Sequence, residues 1–277
     1  MLGAIFGDIV GSRFEFTGFK SKKFELFTEK CTITDDTLMT LAIAKTLLFE
    51  STADVESLKS KLIFNMVDIY KKYPNTNWGE RFHDWLIGIK TPLNSFGNGA
   101  AMRVSPVAWV SNSPEEVKLL SKYVTEISHD HHEAIKGAEA ISMSIYMARI
   151  GKSKDEIREY IGTNYYKEVL NEDFNFLVEN YGHVDKTSED GFDWKYVTCQ
   201  GSVPHAIRAF LASDSFEDAI RNAISLGGDS DTLACMAGSI AEAYYGLSVH
   251  EEIEVFKRLP DDLLDICFAF ETVKIKK

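Results

Sequence analysis

The chain has 277 residues, 45% of them apolar, and a net charge of −12. That is enough for a substantial core, and an acidic balance with no basic stripe excludes charge-driven binding to nucleic acid. No apolar run approaches the ~20 residues that span a bilayer, and the opening MLGAIFGDIVGSRFE has no basic leader, so neither a membrane span nor a signal peptide is expected. The four cysteines, Cys31, Cys199, Cys235 and Cys267, form no CxxC and predict reduced, mostly buried thiols in a cytoplasmic protein.

Helical periodicity dominates. Leu2, Ile5, Phe6, Ile9 and Val10 recur at spacings of three and four and predict a first helix. Thr34-Asp35-Asp36-Thr37 opens a second, apolar at Leu38, Leu41, Ala42 and Leu48. Residues 55–73 read as an amphipathic helix that Pro74 stops, and 77–89 as a short one. Residues 113–128 start with Ser113 as cap and Pro114 in the first turn. Residues 131–151 are rich in small side chains, and Gly151 suits the C-terminal cap. Ser153 and Glu156 form a capping-box pattern opening 153–161. Helices over 204–213, 215–226, 231–246 and 261–273 follow. The nearest approach to strand alternation, 195–203, is too short to carry a sheet, and acidic 185–193 reads as a surface loop. The expectation is an all-α chain of about a dozen helices, one compact domain over 1–277. Its Ala/Gly runs at 137–148 and 237–243 allow close helix packing at the centre.

Chemistry concentrates in five stretches. In LGGDSDTLACMAG, 226–238, two glycines and two aspartates precede a small, apolar helix. Acids are favoured at a helix start, so Asp229 and Asp231 can be caps and nothing more. Gly227 and Gly228 add a sharp entry through positive φ. TDDT at 34–37 is a second acid-rich helix mouth, about 195 residues from the first. Were the two mouths to meet, four carboxylates would need a counter-charge, and carboxylate and hydroxyl oxygens suit Mg2+ or Mn2+ rather than zinc. SFGNGAAMRVSP, 95–106, offers either an anion nest at Gly97, Asn98 and Gly99 or an ordinary Gly-rich loop. SHDHHEA, 128–134, spaces His129 and His132 so that they can share a helix face, to contact a ligand oxygen or to stand in solvent. GDIVGSRFE sets Asp8 and Glu15 two helical turns apart, on one side. Asp8, among apolar neighbours, needs a partner and reads as bonded to another helix end. Glu15 is free to enter a cleft or to face solvent.

These stretches in this order, with WGERFHDWL and VPHAIRAFL between them, resemble the ADP-ribosylglycohydrolase family over residues 7–246. The resemblance implies an orthogonal helical bundle in which the two acidic mouths face each other. It implies a two-metal centre of Mg2+ or Mn2+ held by Thr34, Asp35, Asp36, Asp229, Asp231 and Thr232. Gly97, Asn98, Gly99, Ala100, Ala101 and His129 would bind the diphosphate and neighbouring ribose, with Arg103 bracing the loop. Glu15 and Asp36 would be catalytic, Glu15 aligning with the acid of one branch, while another branch assigns that work to an aspartate of a different loop. The implied reaction is hydrolysis at the anomeric carbon of ADP-ribose, carried by a protein or a small molecule, with the enzyme a monomer. Two alternatives share the scaffold: a hydrolase of another phosphorylated ribosyl metabolite, and a non-catalytic ADP-ribose-binding module. The latter would lack a metal aspartate or Glu15, and neither is lacking. His132 stands where a proline is common, and loops 16–33 and 162–200 match no one branch.

Overall fold

A wholly buried first helix, α1 (Leu2–Gly11), sets the frame for everything that follows. The computed structural model describes residues 1–49, 54–88, 90–183 and 193–274. Among these the chain continues through α2 (Asp35–Phe49), α3 (Val55–Lys72), α4 (Glu80–Ile87), α5 (Ser105–Val110), α6 (Pro114–Glu126), α7 (His132–Arg149) and α8 (Lys154–Asn164). It ends with α9 (Lys167–Asn171), α10 (Phe174–Asn180), α11 (Cys199–Leu211), α12 (Phe216–Ser225), α13 (Ser230–Tyr245), α14 (Val249–Phe256) and α15 (Asp261–Val273). No sheet occurs among the described residues, where the one isolated bridge joins Gly97 to Thr198.

Local chemistry accounts for most helix ends. Ser113 accepts the Glu116 N–H ahead of Pro114, Ser153 and Glu156 form a reciprocal box, and Ser215 accepts from Asp218. Gly151 takes φ +83°, closing α7 in a conformation costly for other residues. Four of the fifteen described helices, α5, α9, α10 and α14, are not among the eleven segments predicted. Each has eight residues or fewer, too few for periodicity to show. Residues 195–203 are no strand. Trp194–Val197 is a 3-10 turn, and Thr198 caps α11 by accepting the Gly201 N–H. The helix therefore begins five residues before the predicted start, with Pro204 inside it. The acidic stretch 185–193 lies outside the described residues except for Asp193.

The centre is the contact of α1 with α13. Both are buried almost throughout. Gly3, Gly7 and Gly11 recur every fourth residue and form one bare stripe on α1. A Cβ at Gly3 would strike the Gly238 carbonyl, at Gly7 the Ala234 carbonyl, and at Gly11 it would lie 2.5 Å from the Asp231 Cα. The two backbones thus meet directly, which fixes the register of α1 against the start of α13. At the other end, Glu242 of α13 accepts from the Met1 amino group at 2.5 Å and the Gly3 N–H at 2.8 Å, and Lys274 reaches it at 2.5 Å. One continuous apolar core runs from Met1 to Phe270 around this pair.

Candidate active site

Asp8 sits mid-way along α1 and is fully buried. Its Oδ2 accepts the main-chain N–H groups of Thr34 (2.9 Å) and Thr37 (3.1 Å) and the Thr37 hydroxyl. Its Oδ1 accepts the Thr34 hydroxyl at 2.7 Å. Asp8 therefore caps α2 from a different helix, satisfying donors that α2 cannot satisfy itself. That frees Asp36, in the first turn of α2, to point elsewhere. Asp36 Oδ2 lies 3.4 Å from the Thr34 hydroxyl and 3.2 Å from the Thr232 hydroxyl of α13, while its Oδ1 is buried without a partner.

The second acidic mouth is set by a tight turn. Gly227 and Gly228 take φ of +72° and +70°. Lys20 holds the turn, its Nζ donating to the Leu226 carbonyl at 2.5 Å and to the Tyr181 carbonyl. Asp229 occupies the cap position of α13, yet its side chain makes no capping bond. It accepts instead from the Asn98 side-chain amide at 2.7 Å. Asp231 Oδ1 accepts the Thr232 N–H at 2.9 Å. A helix start alone does not describe this pair.

Glu15 arrives by its own route. It is not on α1, as two-turn spacing from Asp8 suggested. The helix ends at Gly11, a 3-10 turn covers Ser12–Phe14, and Glu15 follows with ψ 125°. The next N–H, of Phe16, donates to the Gly228 carbonyl at 2.9 Å, tying Glu15 to the α13 mouth. Phe16 takes φ +54°, a conformation with a steric cost for a non-glycine residue. Glu15 is half-buried, and the Asn77 amide lies 3.5 Å from its Oε2.

These routes bring the two mouths together. One carboxylate oxygen each from Asp8, Asp36 and Asp231 lie within 4.8 Å of one another, and so do those from Glu15, Asp229 and Asp231. Asp231 belongs to both trios. Asp35, partly exposed, belongs to neither. Among the described residues no lysine, arginine or histidine pairs with any of these carboxylates. Burial first, then the neighbouring acids, push Asp35, Asp36 and Asp231 well above the usual carboxylate range. Burial and the Asp229 charge raise Glu15 to about 7. An all-oxygen donor set, crowded, buried and lacking a protein cation, fits a hard divalent ion. The unpartnered Asp36 Oδ1 is where the fit is most specific.

The Gly97–Ala101 loop borders this cluster. Gly97 and Gly99 do not take positive φ, so it is not a nest. Asn98–Ala100 form one 3-10 turn whose Ala100 and Ala101 N–H groups return to Gly97 and Asn98. The Asn98 N–H faces the Val197 carbonyl across the Gly97–Thr198 bridge, while the Gly99 N–H has no main-chain acceptor among the described residues. Two buried thiols brace the loop ends, Cys199 Sγ donating to the Gly97 carbonyl and Cys235 Sγ to the Met102 carbonyl, each at 3.2 Å. His129 faces the loop, 5% exposed, with Nε2 beside Gly97 and Gly99. His132 does not share its face. It begins α7, and its side chain is exposed. Burial, followed by Arg103 and Arg81, holds the His129 pKa well below the ordinary imidazole value.

Residues 1–269 match the ADP-ribosylglycohydrolase family. The chain belongs to that family. It is a hydrolase of the same type. It is 26% identical to human ADP-ribosylhydrolase ARH3, over 90% of this chain and 78% of that protein. It is 23% identical to the ADP-ribosyl-[dinitrogen reductase] glycohydrolase of Rhodospirillum rubrum, over 78% and 69%. It is 25% identical to the ADP-ribosylarginine hydrolase Tri1 of Pseudomonas putida (strain GB-1), over 90% and 70%. A solved ADP-ribosylglycohydrolase-related protein complex superimposes with a TM-score of 0.65 at 20% identity, covering 99% of this chain and 97% of that one, which shows a shared fold.

Sequence reasoning passed over Asn77, Lys20 and Ser128, which hold Glu15, the Gly227–Gly228 turn and His129 respectively. Each sits in a loop or helix end whose own pattern gives no signal. Asp8's apolar surroundings predict a tie to another helix end. It makes that tie and also stands within the first trio.

Proposed function

We propose that this protein hydrolyses a glycosidic bond at the anomeric carbon of ADP-ribose, removing the ADP-ribosyl group from a modified protein or small molecule. The observation that carries this is the convergence of Glu15, Asp229 and Asp231 within 4.8 Å, next to the Asn98 loop, in a chain of this family. Glu15, raised to about 7, keeps a proton near neutral pH and is the group to protonate the leaving atom. Asp36, with an uncommitted buried oxygen, is the second catalytic carboxylate and an acceptor for the attacking water. The Gly97–Ala101 turn, with the Gly99 amide at its head, and His129 bind the diphosphate and neighbouring ribose, holding the anomeric carbon against the acids. Two divalent cations, Mg2+ or Mn2+, with Thr34, Asp35, Asp36, Asp229, Asp231 and Thr232 as ligands, would supply Lewis-acid polarisation at the ribose and its water.

The substrate is an ADP-ribosylated protein or small molecule, and the enzyme acts as a monomer built as a single domain. The unbroken apolar core supports one domain. Four free cysteines, and no described helix long and apolar enough to cross a membrane, support a cytoplasmic location. The decisive experiment is release of ADP-ribose from ADP-ribosylated arginine and serine with Mg2+ or Mn2+. Release from either, lost at least about a hundredfold in Glu15→Gln, is the expected result, since one general acid contributes on the order of 10²–10⁴. No release from either by a protein that binds ADP-ribose overturns the assignment.

A further inference from the structure

Arg103 lies fully buried just beyond the Gly97–Ala101 loop and forms no ion pair among the described residues. Its guanidinium stands 5.3 Å over the Phe82 ring, and its Nη2 donates to the Ser128 hydroxyl at 2.7 Å, while Nε and Nη1 meet no acceptor. Ser128 is also fully buried, with Oγ 2.8 Å from His129 Nδ1. These contacts fix a direction of donation. A guanidinium only donates, so the Ser128 oxygen accepts from Arg103. The Ser128 proton then has one acceptor in reach among the described residues, His129 Nδ1. Were Nδ1 protonated instead, the hydroxyl proton would be buried without an acceptor, a cost that native structures avoid. Nδ1 is therefore bare, and the ring proton sits on Nε2. That nitrogen faces the loop: a Cβ on Gly99 or Gly97 would stand 3.4 or 3.7 Å from it.

We infer that Arg103, acting through Ser128, sets His129 as a one-way hydrogen-bond donor at Nε2, directed at an oxyanion held by the Gly97–Gly99 turn. This rests on the placement of the diphosphate at that turn. Arg103 and Ser128 are positioning residues and touch no substrate. The other tautomer would turn a lone pair toward the anion. Burial and the Arg103 and Arg81 charges keep the ring neutral, so its tautomer, not its charge, decides whether it attracts a phosphate oxygen.

Nitrogen NMR of histidine-labelled full-length protein in Mg2+ reads the tautomer directly. His129 is assigned among the seven histidines by the signals lost in His129→Asn. The expected wild-type pattern, before ADP-ribose is added, is a protonated Nε2 and a bare Nδ1. Ser128→Ala should release the ring into a mixture of tautomers and weaken ADP-ribose binding about tenfold, with Mg2+ affinity unchanged. Arg103→Met should do the same, and the double variant Arg103→Met/Ser128→Ala, which leaves no buried guanidinium without its acceptor, gives the same readout where Ser128→Ala alone is unstable. A wild-type ring protonated on Nδ1, or a tautomer untouched by Ser128→Ala, overturns the inference. If Nε2 is protonated but wild type does not bind ADP-ribose, the relay stands and the functional assignment falls. If ADP-ribose binds but the tautomer is reversed, the relay falls alone.

Discussion

The side chain of Asn98 donates to the Asp229 carboxylate at 2.7 Å, across 131 residues of sequence. This bond joins the turn proposed to hold the diphosphate to an acid proposed to hold metal. Asn98→Ala should therefore weaken both functions at once. Calorimetry should show metal affinity down several-fold, and kinetics a raised KM, from loss of a hydrogen bond to a charged group worth about 1.5–3 kcal/mol. Unchanged metal affinity would show that the bond is incidental.

Asp231 stands in both acidic trios, and Asp36 in one. Asp231→Asn should abolish turnover and cost more metal affinity than Asp36→Asn, because it removes a charge that both trios share. Equal and small losses in the two variants would refute the arrangement.

Chelation should lower thermal stability. The metal-free cluster leaves buried carboxylates facing one another without a protein cation. At metal concentrations near 100 times Kd, bound ion stabilises by about 2.7 kcal/mol. That amounts to a fall in Tm of roughly 5 °C or more when EDTA is added. A Tm indifferent to EDTA would speak against a buried ion.

Gly7 meets the Ala234 carbonyl so closely that a methyl group has no room, whereas a Cβ on Gly162 of α8 would have nothing nearer than the Lys167 Cα at 4.0 Å. Gly7→Ala should destabilise by about 2–3 kcal/mol through overpacking and should also impair activity, since α1 carries Asp8 and its packing on α13 sets the mouth that Glu15 joins. Gly162→Ala should stabilise slightly, by about 0.5 kcal/mol, through helix propensity. Urea titrations of the pair separate close approach from a general intolerance of alanine.

Burial alone would raise Glu242, but Lys274 and the Met1 amino group outweigh it and hold the carboxyl at about 2; burial also lowers the Met1 amine, to about 5, so at pH 7 Lys274 is the lasting positive partner. A depressed acid stabilises the fold above its unfolded pKa, near 4.5, and that contribution disappears as pH falls toward 2. Glu242→Gln should lower stability at pH 7 and flatten the loss of stability between pH 4.5 and 2. A parallel pH profile in the variant would remove Glu242 from that role.

The sequence by itself determined the helices that carry their own punctuation: Ser113 before Pro114, the Ser153–Glu156 box, and Gly151 at positive φ. It also marked the two acidic mouths, because aspartates beside Thr34 and beside Gly227–Gly228 are local patterns. Only the tertiary structure decided what each acid does. Asp8 caps α2 from 26 residues away, which leaves Asp36 uncommitted, and Asp229 turns from its own helix to Asn98. Of two histidines three residues apart, burial selects His129 and leaves His132 in solvent. The physical reason is the same in each case. A carboxylate's or imidazole's role follows from which donors reach it, and here those donors come from elements distant in sequence. They are brought close because three glycines let α1 lie directly on the backbone of α13.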